Sequence, residues 1–339
     1  MFSRRLVKAV TLSFAACAFL LAFGVTARSA AEAAARTLRF GTIYADETPM
    51  GRAVKTFAEL VKEKTNGEIL VNHYPAEQLG TEQEMVESTG MGAIDMTAPG
   101  SALCGLFQPQ YLIFPLCYVI DDWEHLDRVM TSDLGKEMAD KFLDVTGARV
   151  LASNWYREPR YLYGSKPVRK LEDLKGFRVR VPENPSWVKS WQKLGASPTP
   201  MALGEVYTGI QTGALDGAET TISFYTSNGV NKVAPYLMLT THVFEANLCL
   251  INDKLFQSLS PEQQKALSEA AFEAGVAHQQ YVKESIESEL KRVVDEGGEV
   301  VEVDRDNWIK RMEGVGYELS DIWKDKTLYD RIRAFSTKK

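Results

Sequence analysis

One stretch limits the possible folds more than any other. Ser260-Pro261-Glu262-Gln263 places a capping serine before a proline at the first helical position, and the helical pattern then runs to Gly297-Gly298. Leu267, Ala271, Ala274, Val282, Ile286 and Val293 mark its apolar stripe. Gly275 and His278 break that stripe, which favours a packing brace over a coiled coil. Such a helix is long enough to cross between two lobes. Roughly 300 residues of exported chain also exceed one ordinary core, so two lobes are expected.

Upstream, strand and helix patterns alternate. Thr37–Ile43 reads as a strand and Gly51–Lys64 as a helix with Val54, Phe57, Ala58 and Val61 on one stripe. Asn66-Gly67 closes that helix. Glu68–Tyr74 is the next strand, and Thr81–Glu84 starts a helix in capping-box style. Ile94–Ala98, Arg149–Trp155, Phe177–Val181 and a short segment near Asp216–Glu219 read as further strands. This order predicts an α/β fold of mixed, mostly parallel sheets flanked by helices. A last helical region begins near Asn307 and carries Trp308, Met312, Tyr317, Ile322 and Trp323.

The N-terminus reads as an export signal. Arg4, Arg5 and Lys8 precede an apolar run from Ala9 to Val25 and an alanine-rich stretch, with cleavage expected near Ala35. A single membrane anchor is the rival reading. Removing residues 1–35 lowers Lys+Arg from 39 to 35 and Asp+Glu from 45 to 44, so the exported chain carries a net charge of −9. With no basic block, nucleic acid is excluded as a partner. A local cationic cleft for a small anion remains compatible with that charge. Cys104, Cys117 and Cys249 remain. At most one disulfide can form, with Cys104–Cys117 as the candidate, but their apolar surroundings favour buried free thiols.

Gly176 to Pro185 carries the most pointed chemistry. Phe177, Val179 and Val181 alternate with Arg178 and Arg180, so the two arginines share a strand face. Pro182 and Pro185 end the strand. An arginine at the mouth of an α/β sheet sits where ligands bind, and its planar fork matches a carboxylate. The plainer alternative is an ion pair with Glu172 or Asp173. Catalytic patterns are poor. Only four histidines exist, none at metal-ligand spacing, and there is no GxSxG elbow, phosphate loop or Cys-x-x-Cys pair. No enzyme, metal or cofactor is expected. A secreted hydrolase with distant paired carboxylates is the catalytic rival.

Several motifs together resemble one family. Tyr74-Pro75-Ala76-Glu77-Gln78-Leu79-Gly80, Gly92-Ala93-Ile94-Asp95-Met96, Phe114-Pro115-Leu116-Cys117-Tyr118-Val119 and Asp173–Pro182 follow in order. Gly195–Met201, Glu205-Val206-Tyr207 and Gln211–Glu219 complete the series. The chain is similar, over roughly residues 37 to 335, to the DctP-type periplasmic solute-binding proteins of TRAP (tripartite ATP-independent periplasmic) transporters. The resemblance implies a type II-like two-lobed binding protein with hinge strands and a lobe-spanning helix. Lobe I is expected from residues 36–157 plus 246–285, and lobe II from 158–245 plus 286–339.

It further implies a periplasmic monomer that closes on a small carboxylate and delivers it to an ion-gradient-driven TRAP permease. A sugar acid is the first expectation, and a dicarboxylate or 2-oxo acid the second. Service to an ABC permease or a sensor is the other binding-protein reading. By position, Arg180 matches the family arginine for the ligand carboxylate. Arg160 matches a second arginine, with Arg157 competing for that role. Glu82, Leu203, Glu219 and Thr220 match cleft positions. Tyr44, Trp155, Tyr156 and Phe224 are candidates for an aromatic wall. Thr220-Thr221 departs from the asparagine, proline or tryptophan common in the family after the glutamate. Gly100 stands where sialic-acid binders carry glutamate.

Overall fold

The computed structural model describes residues 35–337. The expected leader therefore lies outside the described residues, apart from Ala35. No helix among the described residues is long and apolar enough to cross a membrane.

Two sheets organise the chain. The first comprises β1 (Arg36–Gly41), β2 (Ile69–Tyr74), β3 (Met96–Thr97), β4 (Ala148–Tyr156) and β10 (Ala246–Asn252), in the order β2-β1-β3-β10-β4. The second comprises β5 (Tyr161–Gly164), β6 (Arg178–Val181), β7 (Ser197–Pro200), β8 (Gly217–Thr220), β9 (Tyr236–Met238) and β11 (Glu299–Val301), in the order β11-β9-β5-β8-β6-β7. Five of the nine pairings are parallel, so the sheets are mixed and mostly parallel. The antiparallel pairings all belong to β10 and β5. Those are the strands that receive the chain as it changes sheet.

Local sequence explains the helices. The helix Pro49–Lys64 starts behind Thr48, whose side chain accepts from Gly51 N, and buries Ala53, Val54, Phe57 and Val61. The helix Glu82–Met91 has a complete Thr81/Glu84 capping box and ends on Gly92 in the left-handed region. Ser260 and Gln263 form a second capping box, and the long helix runs Pro261–Asp295. It lies on helix 49–64 and β4 in the first lobe, then reaches helix 222–227 and β11 in the second.

The two residues that interrupt its stripe are buried contacts. A Cβ on Gly275 would stand 2.2 Å from Asn154 Oδ1, so only glycine lets the helix come this close to β4. His278 is buried beside the Trp155 ring.

Two further crossings join the lobes. Residues 157–160 lead from β4 to β5, and residues 241–245 return from β9 to β10. They are laced together: Arg157 N donates to Glu245 O at 2.9 Å, Arg160 N to Val243 O at 3.1 Å, and His242 N to Arg160 O at 3.3 Å. Beside them, Ser190 Oγ accepts from Cys117 N and Ser186 Oγ donates to Leu112 O, tying the helix Pro185–Leu194 to first-lobe loops. One apolar cluster runs through this region, from Tyr111 and Phe114 to Trp191 and Trp308.

The C-terminal stretch, expected with lobe II, divides its contacts. Glu318 pairs with Lys189 and Lys193 of helix 185–194. The final helix, Leu328–Arg333, instead meets the first lobe: His125 Nε2 lies 2.9 Å from Ile332 O, and Arg333 pairs with Asp121 at 2.7 Å. Cys104, Cys117 and Cys249 are free and buried, so the Cys104–Cys117 bridge does not form. Burial pushes each thiol well above its ordinary range.

Candidate functional site

A crevice opens where the three crossings meet. Tyr44, Thr48, Pro49 and Met50 line it from the first lobe, and Arg157 and Glu158 from the outward crossing. Thr221 and Ser223 face it from the second lobe, Asn247 from β10, and His278 and Val282 from the long helix. Arg180 is not on this wall but lies one strand away. It sits opposite Ala218 of β8, and β8 ends at Thr220, directly before the wall residue Thr221.

Arg180 is buried near the C-terminal end of β6. Its Nε donates to Met201 O at 2.8 Å, but its buried Nη1 has no hydrogen-bond partner. Burial lowers its pKa, and among the described residues no carboxylate bonds to it. An unpaired buried donor is costly, on the order of 1–3 kcal/mol and more when charged. Arg178, two residues earlier on the same face, differs in every respect. It is solvent-exposed and held by Asp216, whose pKa it pulls down to about 2. The ion pair foreseen with Glu172 or Asp173 thus forms with Asp216, and on Arg178 rather than Arg180.

Arg160 is spent differently. Its Nε donates to Glu219 Oε2 at 2.6 Å, and its Nη2 to Oε1 at 2.7 Å and to Glu219 O at 3.1 Å. The guanidinium lies 5.0 Å over the Trp187 ring. Burial works against the charge of fully enclosed Glu219, but Arg160 and a hydrogen bond from His242 outweigh it and hold the carboxyl below its ordinary range. Burial lowers the pKa of His242, so the ring is neutral. Its Nε2–H then donates to Glu219 Oε2 at 3.0 Å while Nδ1 accepts from Thr240 Oγ1 at 2.8 Å.

On the first-lobe side, Glu82 Oε1 accepts from Gly100 N at 2.8 Å, and burial raises its pKa against the pull of Arg157. A Cβ on Gly100 would stand 2.4 Å from Arg157 Nη1, so the missing side chain makes room for that guanidinium. Tyr44, Glu245, Glu82 and Glu158 favour the charge of Arg157, and His278 and Arg160 also feel it. Glu158 Oε2 accepts from Ser223 N and its Oε1 from Ser285 Oγ, while burial raises its pKa.

The structure therefore gathers Arg160, Glu219 and Thr220 around β8, with Arg180 beside them. Tyr44 is brought to the crevice. Glu82 approaches it through Gly100 and Arg157. Leu203 opens the short 3-10 turn Leu203–Glu205 and packs on the second-lobe cluster, as does Phe224. Trp155 is not brought to the crevice. It is fully buried in the first-lobe core against Phe40 and Phe57, and its Nε1 donates to Ala271 O of the long helix. Tyr156 is likewise buried, with its hydroxyl on Asp127. Sequence reasoning missed Glu158, Asn247 and His278 as wall residues. The available signal was a polar side chain inside an otherwise apolar strand or stripe. Among the described residues, no group of three His, Cys, Asp or Glu side chains is placed to hold a metal ion.

Two α/β lobes joined by paired crossings and a bracing helix, with a buried arginine beside the crevice, define a two-lobed solute-binding protein. The sequence matches the model of the bacterial extracellular solute-binding protein family 7 (DctP) over residues 40–319, and the chain belongs to that family. It is 32% identical to the 2,3-diketo-L-gulonate-binding periplasmic protein of Escherichia coli over 82% of this chain and 84% of the relative. A TRAP periplasmic solute-binding protein from Sulfitobacter with bound β-D-galacturonate superposes at a TM-score of 0.77, with 28% identity, covering 88% of this chain and 99% of the other. One from Escherichia fergusonii in an apo open form superposes at 0.82, with 26% identity, covering 89% and 100%.

Proposed function

We propose that this chain is exported to the periplasm, captures a small organic acid without chemical change and passes it to an ion-gradient-driven TRAP permease. A sugar acid is the preferred ligand, ahead of a dicarboxylate or 2-oxo acid. The observation that carries this reading is the buried Arg180 guanidinium with a donor that has no acceptor among the described residues. A ligand carboxylate supplies the missing acceptor and a countercharge in one contact. Arg160 stabilises β8 through Glu219, while Arg157 reaches the crevice wall and takes the larger share of contact with the rest of the ligand. Glu82, Leu203, Thr220 and Tyr44 shape the space around it.

The paired crossings and the bracing helix support a hinge on which the two lobes close over the ligand. Closure then follows from contacts made only in the shut state, as the crossings hinge. A thermal-shift screen with organic acids tests the reading. A bound acid at a hundredfold excess over its Kd stabilises the fold by about 2.7 kcal/mol. At least one sugar acid, dicarboxylate or 2-oxo acid raises the unfolding midpoint, and the corresponding primary amide does not. A panel in which no acid shifts the midpoint, or in which amides act as well as acids, contradicts it.

A further inference from the structure

The C-terminal stretch crosses between the lobes once more. Its upstream part is fixed to the second lobe: the Trp308 and Trp191 rings lie 6.3 Å apart, and Glu318 pairs with Lys189 and Lys193. Its downstream part is fixed to the first. Asp325 Oδ2 accepts from Gln110 Nε2 at 3.1 Å, Arg128 Nε donates to Phe335 O at 2.8 Å, and Arg333 pairs with Asp121. Residues 319–322 make the crossing. They lie in a turn where Leu319 N donates to Gly316 O at 3.3 Å, Ser320 N to Tyr317 O at 3.4 Å and Ile322 N to Leu319 O at 2.9 Å. The first two exceed the ordinary N–H···O range, so the turn is weakly held. Five Cα steps from Glu318 to Trp323 cover about 8 Å at a helical rise and about 18 Å when extended. The crossing therefore holds roughly 10 Å in reserve.

One contact keeps that length folded away. The Tyr317 ring, at the second-lobe end, stands edge-on to the Tyr329 ring at the first-lobe end, with centroids 5.2 Å apart. The Tyr317 hydroxyl donates to Asp330 Oδ1. Gly316 lies against the same Tyr329 ring, where a Cβ would stand 2.1 Å from Cδ2. Tyr317 is more than half exposed, so no core holds it in place. Beside this contact a cavity of about 410 Å³ lies between Tyr118 and Arg333 on one side and Ile309 and Met312 on the other. Neither tyrosine contributes to the crevice wall.

We propose that residues 316–330 form a strap with a tyrosine clasp that limits how far the empty lobes part. Shut, the clasp holds the two ends of the crossing together. Released, it lets the lobes separate until residues 319–322 are taut. Limiting the open state reduces the conformational entropy lost on closure. The inference rests on the hinged closure of the proposed function. It is tested without ligand, so its failure and the failure of acid capture are separate results.

The test measures the distance between the lobes in the ligand-free protein. Spin labels on Glu87→Cys, in the helix Glu82–Met91, and Gln211→Cys, in the helix Val206–Gln211, are read by pulsed electron resonance. Both positions are exposed, and the cysteines at 104, 117 and 249 are buried. Tyr317→Ala shifts the distance distribution outward by several ångström or adds a longer population. Asp330→Ala, at an exposed position that leaves both rings in place, shifts it the same way by less. Inserting Gly-Ser-Gly-Ser between Ser320 and Asp321 changes the clasped chain little, and widens the Tyr317→Ala chain further. Distributions in Tyr317→Ala and Asp330→Ala that match the wild type overturn the inference. So does an insertion that widens the clasped chain as much as the Tyr317→Ala chain, because the clasp then restrains nothing.

Discussion

Arg160 on the outward crossing and Arg180 on β6 are both buried and both near β8, yet they stand in opposite conditions. Arg160 has a dedicated carboxylate, two charge-assisted hydrogen bonds and an aromatic face beneath it. Arg180 has a single backbone oxygen and an idle donor. A buried ion pair inside one protein is bound up with folding, because deleting one partner strands the other. A buried charge whose partner is missing is bound up with recognition, because an incoming ligand is the partner. Under the proposed function, the difference would separate a structural arginine from a ligand-facing one without appeal to motif position.

The strongest way to break this comparison is Glu219→Gln. It leaves Arg160 enclosed with no countercharge and should destabilise the fold by about 3–5 kcal/mol, read from urea unfolding at pH 7. A loss below about 1 kcal/mol would mean that Arg160 does not depend on Glu219.

The pH dependence sharpens the same contrast. Glu219 is depressed below its ordinary value of 4.5, so its stabilisation is complete above that pH and is lost as pH falls through the folded value. His242 is depressed below 6.5, so the unfolded chain gains a proton below that pH that the folded chain refuses. The His242 effect lowers stability as pH falls below 6.5, and the Glu219 effect joins it only below 4.5. Glu158 and Glu82 are raised in the fold and act with the opposite sign, gaining stability as pH falls through their folded values. Urea unfolding from pH 4.5 to pH 3 should show a decline that is shallower in Glu219→Gln, which has no carboxylate at that position to protonate. A stability that stays flat or rises over that range contradicts the account of the Arg160 network.

The smallest effect belongs to Arg178→Ala. This arginine shares the strand face of Arg180 but lies in solvent against Asp216, where exposed pairs contribute little. Neither unfolding nor ligand titration should change beyond experimental error, and a clear loss of binding would show that the strand face rather than burial defines the site.

Much of the framework was readable in the chain. The long helix was legible because its caps and stripe are local, and the β6 segment because alternation and prolines bound it. β10 was not read as a strand, since all seven of its residues are buried and no period marks them. Trp155 was assigned to the wall because an aromatic near a cleft motif fits either wall or core. What decides is Ala271 O, 116 residues away, which takes its Nε1. The Arg160–Glu219 pairing spans 59 residues, and the fit of Arg157 over Gly100 spans 57. Contacts of that range depend on how two sheets meet, which no local pattern encodes.

The most direct measurement is a paired titration of one uronate into the wild-type chain and into Arg180→Ala, with urea unfolding of both unliganded proteins. The variant should keep the wild-type unfolding midpoint or exceed it, since an unpaired buried charge is gone, and should lose roughly 2–5 kcal/mol of binding. Equal affinity in the two proteins would contradict the assignment of the idle guanidinium to the ligand.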